Sequence, residues 1–138
     1  MFGKILVAVD GSEHSVRALE AGARLAKASG AKLSVVTVVY VPPVYQVDLG
    51  DELEQGFRDS ARHILADARH VVEREGVEAD FRTIDGHPAE AVVGLIESGG
   101  FELVVLGRRG LHDSEDRTLG GVSERVLRDA DCSVMLVR

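Results

Sequence analysis

Two hydrophobic periods alternate along the chain. Ile5-Leu6-Val7-Ala8-Val9 is nearly unbroken and rich in β-branched residues, as expected of a strand covered on both faces. After Asp10-Gly11-Ser12 the spacing lengthens. Val16, Leu19, Ala23 and Ala26 recur three and four apart, which predicts a helix with one apolar face, stopped by Gly30. Residues 33–39 predict a second buried strand. Pro42-Pro43 and the acids Asp48, Asp51, Glu52 and Glu54 then read as a solvated loop. Leu53, Phe57, Ile64, Ala68 and Val71 mark a second amphipathic helix ending at Gly76. Residues 77–84 predict a third strand, and its alternation (Ala79, Phe81 and Thr83 against Asp80 and Arg82) suits a sheet edge. Pro88 fits the first turn of a third helix, with Ala89, Val92, Val93 and Ile96 turned inward. Residues 103–106 predict a fourth strand, Val122, Val126 and Leu127 a last helix, and residues 133–137 a fifth strand.

Strands alternating with helices imply a parallel sheet with right-handed crossovers and helices on both faces. The fold class expected is therefore α/β, with a single domain over residues 1–138. Fold rules order the five strands 3-2-1-4-5. In that order the winding reverses between strands 1 and 4, and ligands of open sheets bind at such a reversal, beyond the carboxyl ends of the strands.

Composition narrows the function. Hydrophobic residues make up 45% of the chain but aromatics only 4%, so the core must be aliphatic. A domain of this length buries roughly 70% of its unfolded surface and needs no disulfide or structural metal. The lone cysteine, Cys132, fits a reducing, cytoplasmic setting. The run that opens the chain is cut by Asp10, too early for a secretory leader, and no apolar stretch approaches a membrane span. A net charge of −7 repels nucleic-acid phosphates, so no nucleic-acid partner is expected.

The candidate chemistry lies after the fourth strand. Gly107-Arg108-Arg109-Gly110 leaves the strand, nine residues follow, and Gly120-Gly121-Val122-Ser123 opens the last helix. Glycines admit a bulky anion close to the backbone and adopt positive φ. A helix start offers free N–H groups and partial positive charge, which suits phosphate. Ser123 adds a hydroxyl donor, and Arg108, Arg109 and Arg117 add charge.

Over essentially its whole length the chain resembles the universal stress protein family. The resemblance rests on Lys4-Ile5-Leu6-Val7-Ala8-Val9-Asp10-Gly11-Ser12, on His87-Pro88-Ala89-Glu90, and on Cys132-Ser133-Val134-Met135-Leu136-Val137. Its most specific part is the ATP-binding signature: Gly, two residues, Gly, nine residues, Gly, then Ser or Thr. Gly107, Gly110 and Gly120 match in identity and spacing. The resemblance implies a Rossmann-like sheet of the adenine-nucleotide alpha-hydrolase type in a small cytoplasmic homodimer with a regulatory role in stress. It also implies ATP, or AMP or ADP, as ligand, with Mg²⁺ as a further candidate. By the same carry-over Ala8, Val9, Asp10 and Val38 line the nucleoside pocket. Leu106, Arg109, Val122 and Ser123 complete the site.

Two departures stand out. Gly121 replaces the expected Ser or Thr, removing one hydroxyl donor worth about 0.5–1.5 kcal/mol. Asp113, Glu115 and Asp116 lie inside the spacer, and a carboxylate about 4 Å from a phosphate costs about 1 kcal/mol in water and about 4 at an effective dielectric of 20. The acids either face solvent, share Mg²⁺ with the phosphates, or shift the preference to AMP or to no nucleotide.

Other readings are structural. Asp10 and Glu13 have capping-box spacing at the first helix. Cys132 reads as an inert residue. His63 and His70 lie two helical turns apart, and His14, His87 and His112 have no ligand spacing. Tyr40 and Tyr45 could stack on a base, but a loop wall or a partner contact suits them better. Enzymatic readings lack residues: no Gly-Lys-Ser/Thr loop occurs, no lysine follows Lys32, and slow hydrolysis of a bound ATP stays open with no residue in its support. The alternative to nucleotide binding is a homodimeric interaction protein of the same fold that has lost the ligand. In either case the terminal strand, Val134 to Val137, is an apolar sheet edge, and pairing with its copy across a twofold axis would cover it.

Overall fold

The computed structural model describes residues 2–43, 50–110, 113 and 118–138. Within them the elements run β1 (Lys4–Ala8), α1 (Glu13–Ser29), β2 (Lys32–Val39), α2 (Gly50–Arg74), β3 (Ala79–Asp85), α3 (Pro88–Gly99), β4 (Leu103–Gly107), α4 (Gly121–Asp129) and β5 (Ser133–Val137). The five strands form one parallel sheet in the order β3-β2-β1-β4-β5, the order that fold rules give.

The core is aliphatic and lies in two layers. On one face Ile5, Val7, Leu33, Val35, Leu103 and Val105 meet Leu19 and Ala23 of α1 and Ala68, Val71 and Val72 of α2. On the other, Leu6, Val36, Val104 and Leu106 meet Val92 and Ile96 of α3 and Val126 of α4. Burial of each such branched side chain contributes about 1.5–3 kcal/mol.

Helix α1 corrects one expectation. Its buried stripe is Ser15, Ala18, Leu19, Gly22, Ala23 and Ala26, whereas Val16 lies off that stripe and is exposed. Small residues let the helix settle closely on the sheet: a Cβ at Gly22 would lie 2.6 Å from Val7 Cγ2. The cap differs too. Ser12, not Asp10, is the N-cap, and its Oγ accepts from the Ser15 N–H at 3.2 Å.

Two boundaries and two side-chain facings also depart from the pattern. Asp51, Glu52 and Glu54 belong to α2, not to a loop; acids in a first turn complement the helix dipole, and Glu54 pairs with Arg58 at 3.1 Å. Asp48 lies outside the described residues. Strand β3 starts at Ala79 because the Val77 N–H still donates to the Val72 carbonyl, closing the end of α2. The expected alternation holds for Ala79 and Phe81 but not for Thr83, which is exposed. On α4, Leu127 is turned outward at 48% exposure, while Val126 is fully buried.

Candidate anion cradle at the sheet reversal

Strands β1 and β4 lie side by side, Ile5 opposite Leu103 and Val7 opposite Val105, while α1 and α4 leave in opposite senses. Their carboxyl ends therefore frame the crevice that the strand order predicts.

Hydrogen bonds join the two glycine turns into one unit. The Gly120 N–H donates to the Arg108 carbonyl at 2.8 Å, and the Ser123 hydroxyl donates to the Gly107 carbonyl at 2.7 Å. The start of α4 is thus fastened to the segment leaving β4. The Ser123 hydroxyl proton, which the sequence offers to a phosphate, is engaged in this fastening and buried. The Arg108 N–H donates to the Val137 carbonyl at 2.7 Å, fixing the same turn to β5.

The glycines serve close approach, not left-handed backbone. None of Gly107, Gly110, Gly120 or Gly121 has positive φ, contrary to the sequence expectation; Gly11, at φ 89°, does. A Cβ on Gly107 would lie 2.7 Å from His14 Cβ and 2.8 Å from the His14 carbonyl carbon. A Cβ on Gly110 would strike Asp10 Oδ2, and one on Gly120 would strike Asp113 Oδ2. Gly121 has open space instead, so a side chain fits there.

Two backbone donors converge on a single anion. The Gly110 N–H donates to Asp113 Oδ2 at 2.7 Å and the Gly121 N–H to Asp113 Oδ1 at 3.3 Å. No side chain of the Gly120 N-cap can close this helix start, and the Asp113 carboxylate takes that place. The N–H groups of Val122 and Ser123 find no partner among the described residues.

From the β1 side, Asp10 reaches toward the same place. Its Oδ1 accepts from the Ser12 N–H at 2.9 Å, and its own N–H donates to Ser15 Oγ at 3.3 Å. Sequence reasoning overlooked Ser15 and set His14 aside for want of ligand spacing; the signal for both was their position in the first turn of α1. His14 lies between two guanidinium groups, with Nε2 3.3 Å from Arg109 Nη2 and Nδ1 3.5 Å from Arg17 Nη2. The Arg108 Nε is buried with no hydrogen-bond partner among the described residues, a donor that an anion can satisfy.

The expected nucleoside-lining residues divide between the faces. Ala8, Val38, Leu106 and Val122 share the face covered by α3 and α4. Val9 packs into the opposite layer, leaving only its backbone toward the crevice, where its N–H already donates to the Val36 carbonyl at 2.9 Å. Arg117, Glu115, Asp116, His112 and Tyr45 lie outside the described residues. Tyr40 stacks edge-on against His87, with ring centroids 5.2 Å apart. Burial pushes the Cys132 thiol up from its ordinary range, and Asp131 adds to the effect.

Among the described residues no group of three or more His, Cys, Asp or Glu is placed to hold a metal ion. Nor is any helix among them long and apolar enough to cross a membrane.

Comparison with known proteins gives a consistent result. The model of the universal stress protein family matches residues 1–138. The chain is similar to a universal stress protein of Bacillus subtilis (33% identity) and to one of Thermus aquaticus (35% identity), each alignment covering all of both chains. Among solved structures it resembles the universal stress protein UspA from Lactobacillus plantarum, with TM-score 0.87 and 22% identity over 99% of this chain and 97% of that one. A universal stress protein solved in complex with cAMP is 27% identical, with TM-score 0.78 over 99% and 97% of the two chains.

Proposed function

Since the chain belongs to the universal stress protein family, we propose that it is a cytoplasmic regulatory protein that binds an adenine nucleotide at the β1–β4 reversal and performs no metabolic chemistry. The observation that carries this reading is the convergence of the Gly110 and Gly121 N–H groups on one anion, the Asp113 carboxylate, beside the N–H groups of Val122 and Ser123, which have no partner among the described residues. The fit to a phosphate rests on this chain's own donors: the Val122 and Ser123 amides, and the Gly110 and Gly121 amides once the Asp113 carboxylate releases them. The base and ribose would lie along Ala8, Val38, Leu106 and Val122, with Asp10 at the ribose and Arg109 toward the phosphates. The 27%-identical relative crystallised with cAMP supports an adenine nucleotide as the class. ATP, ADP and AMP are the candidates, with Mg²⁺ held by phosphate oxygens.

The protein acts as a homodimer through β5. Strand β5 pairs with β4 on one side only, and Met135 on that strand is exposed apolar surface (37%). Such an edge is normally covered.

Calorimetry with ATP, ADP, AMP and cAMP, each with and without Mg²⁺, tests the ligand. Saturable binding of at least one at sub-millimolar concentration is expected. Absence of binding to all four at millimolar concentration overturns the reading. It would leave the second one, a dimeric interaction protein, which the Asp113 carboxylate lying in the cradle favours.

A further inference from the structure

Asp113 lies in the spacer between the second and third glycines, and nothing in the sequence fixes where its carboxylate points. In the structure both of its oxygens accept backbone N–H groups of the two glycine turns, from Gly110 at 2.7 Å and from Gly121 at 3.3 Å. The backbone is shaped around it. A Cβ on Gly120 would collide with Asp113 Oδ2 and lie 2.9 Å from its Cγ, and one on Gly110 would lie 3.4 Å from Oδ2. Carboxylate and phosphate oxygens ask for the same partners at the same distances. The two cannot share these N–H groups, and side by side they repel.

The geometry points to Asp113 as a specificity-determining residue: its carboxylate holds the anion position of the cradle, so the crevice selects nucleoside monophosphates over triphosphates. This inference rests on the adenine-nucleotide reading of the same crevice. A triphosphate must either displace the carboxylate from Gly110 and Gly121 or lie against it with three phosphoryl groups. A monophosphate carries one phosphoryl group and can use the N–H groups of Val122 and Ser123, which are without partners among the described residues. The same carboxylate also closes the start of α4. A purely structural role would therefore alter stability without distinguishing one phosphate from three.

The test uses the full chain, as wild type, D113N and D113A, with calorimetric titration of adenosine, AMP, ATP and tripolyphosphate. Asn keeps the size and one acceptor oxygen for the glycine N–H groups but removes the charge. Ala serves as second variant, and thermal unfolding monitors the fold of both. Removing one unit charge next to the phosphates should tighten ATP and tripolyphosphate by about tenfold, AMP by less, and adenosine by no more than about twofold. Equal shifts for ATP and adenosine, or no gain for tripolyphosphate in either variant, overturn the inference. So does weaker binding of ATP with Mg²⁺ in D113N, which would make the carboxylate a partner of the cation. If no adenine compound binds any of the three proteins, the nucleotide reading fails. The tripolyphosphate titration then decides separately whether Asp113 blocks the cradle.

Discussion

Replacing Gly107 by alanine places a methyl group where the first turn of α1 already passes. The new Cβ would lie 2.7 Å from His14 Cβ, 2.8 Å from its carbonyl carbon and 3.0 Å from its carbonyl oxygen. Two of these three atoms are backbone, so no rotamer change relieves the contact; α1 must move away from β4. Overpacking of this kind costs about 1–3 kcal/mol. Against it stands the reduced freedom of the unfolded chain, worth about 0.4–1 kcal/mol in favour of alanine. The clash wins because relief requires a whole helix to shift, and the net loss should be about 1–2 kcal/mol. For a domain of this length that is a fall of about 3–7 °C in unfolding temperature. Gly121→Ala is the control: nothing lies within 4 Å of its Cβ position at the start of α4, so the freedom term acts alone and the variant gains about 0.4–1 kcal/mol. Differential scanning calorimetry of both variants reads the sign directly. A G107A protein as stable as wild type would refute the argument that this glycine is required by close approach.

Three other outcomes are expected. Gly121→Ser restores the hydroxyl of the family signature in open space and should tighten a phosphate ligand by about 0.5–1.5 kcal/mol, roughly two- to tenfold in Kd by calorimetry. Met135→Lys puts a charge on the β5 edge and should convert a dimer into a monomer by light scattering while leaving the circular dichroism spectrum unchanged. The Arg24 guanidinium, with Nε 3.2 Å from both Glu75 carboxylate oxygens, holds the Glu75 carboxyl below the usual range. Because the folded pKa is the lower one, this pair's contribution is complete above about pH 4.3 and fades as the pH falls through the lowered value. Urea titrations should show a small wild-type advantage over R24Q at pH 6 that shrinks toward pH 3.

Strands β1, β2 and β4 were legible because they are covered on both faces, so each reads as a short apolar run rich in β-branched residues. Residues 5–8, 33–39 and 103–106 needed nothing further. The spacing of Gly107, Gly110 and Gly120 was informative for a related reason: backbone close approach at each of them leaves no room for a side chain. What the sequence left open depends on direction in three dimensions. Val16 and Leu127 fit a helical period, yet each lies about 100° round the helix from a buried neighbour. Asp10 had the spacing of a cap, but Ser12 takes that place and Asp10 receives the Ser12 N–H. Ser123 was read as a free donor, whereas its proton goes to the carbonyl of Gly107, a contact spanning the spacer. The acids of the spacer were visible as charges. Only the fold brings one of them onto the amides of Gly110 and Gly121.

The pairing of Ile5 with Leu103 also bears on how the protein comes into being. One side of the crevice comes from β1 and the other from β4 and α4, which follow three strands' worth of chain later, so a growing polypeptide has nothing to offer a ligand until β4 and α4 have emerged and docked. Any small molecule captured there recognises only the finished domain, and at a hundredfold excess over its Kd it would hold that state by about 2.7 kcal/mol. Occupancy would then report that β4 and α4 have docked against β1.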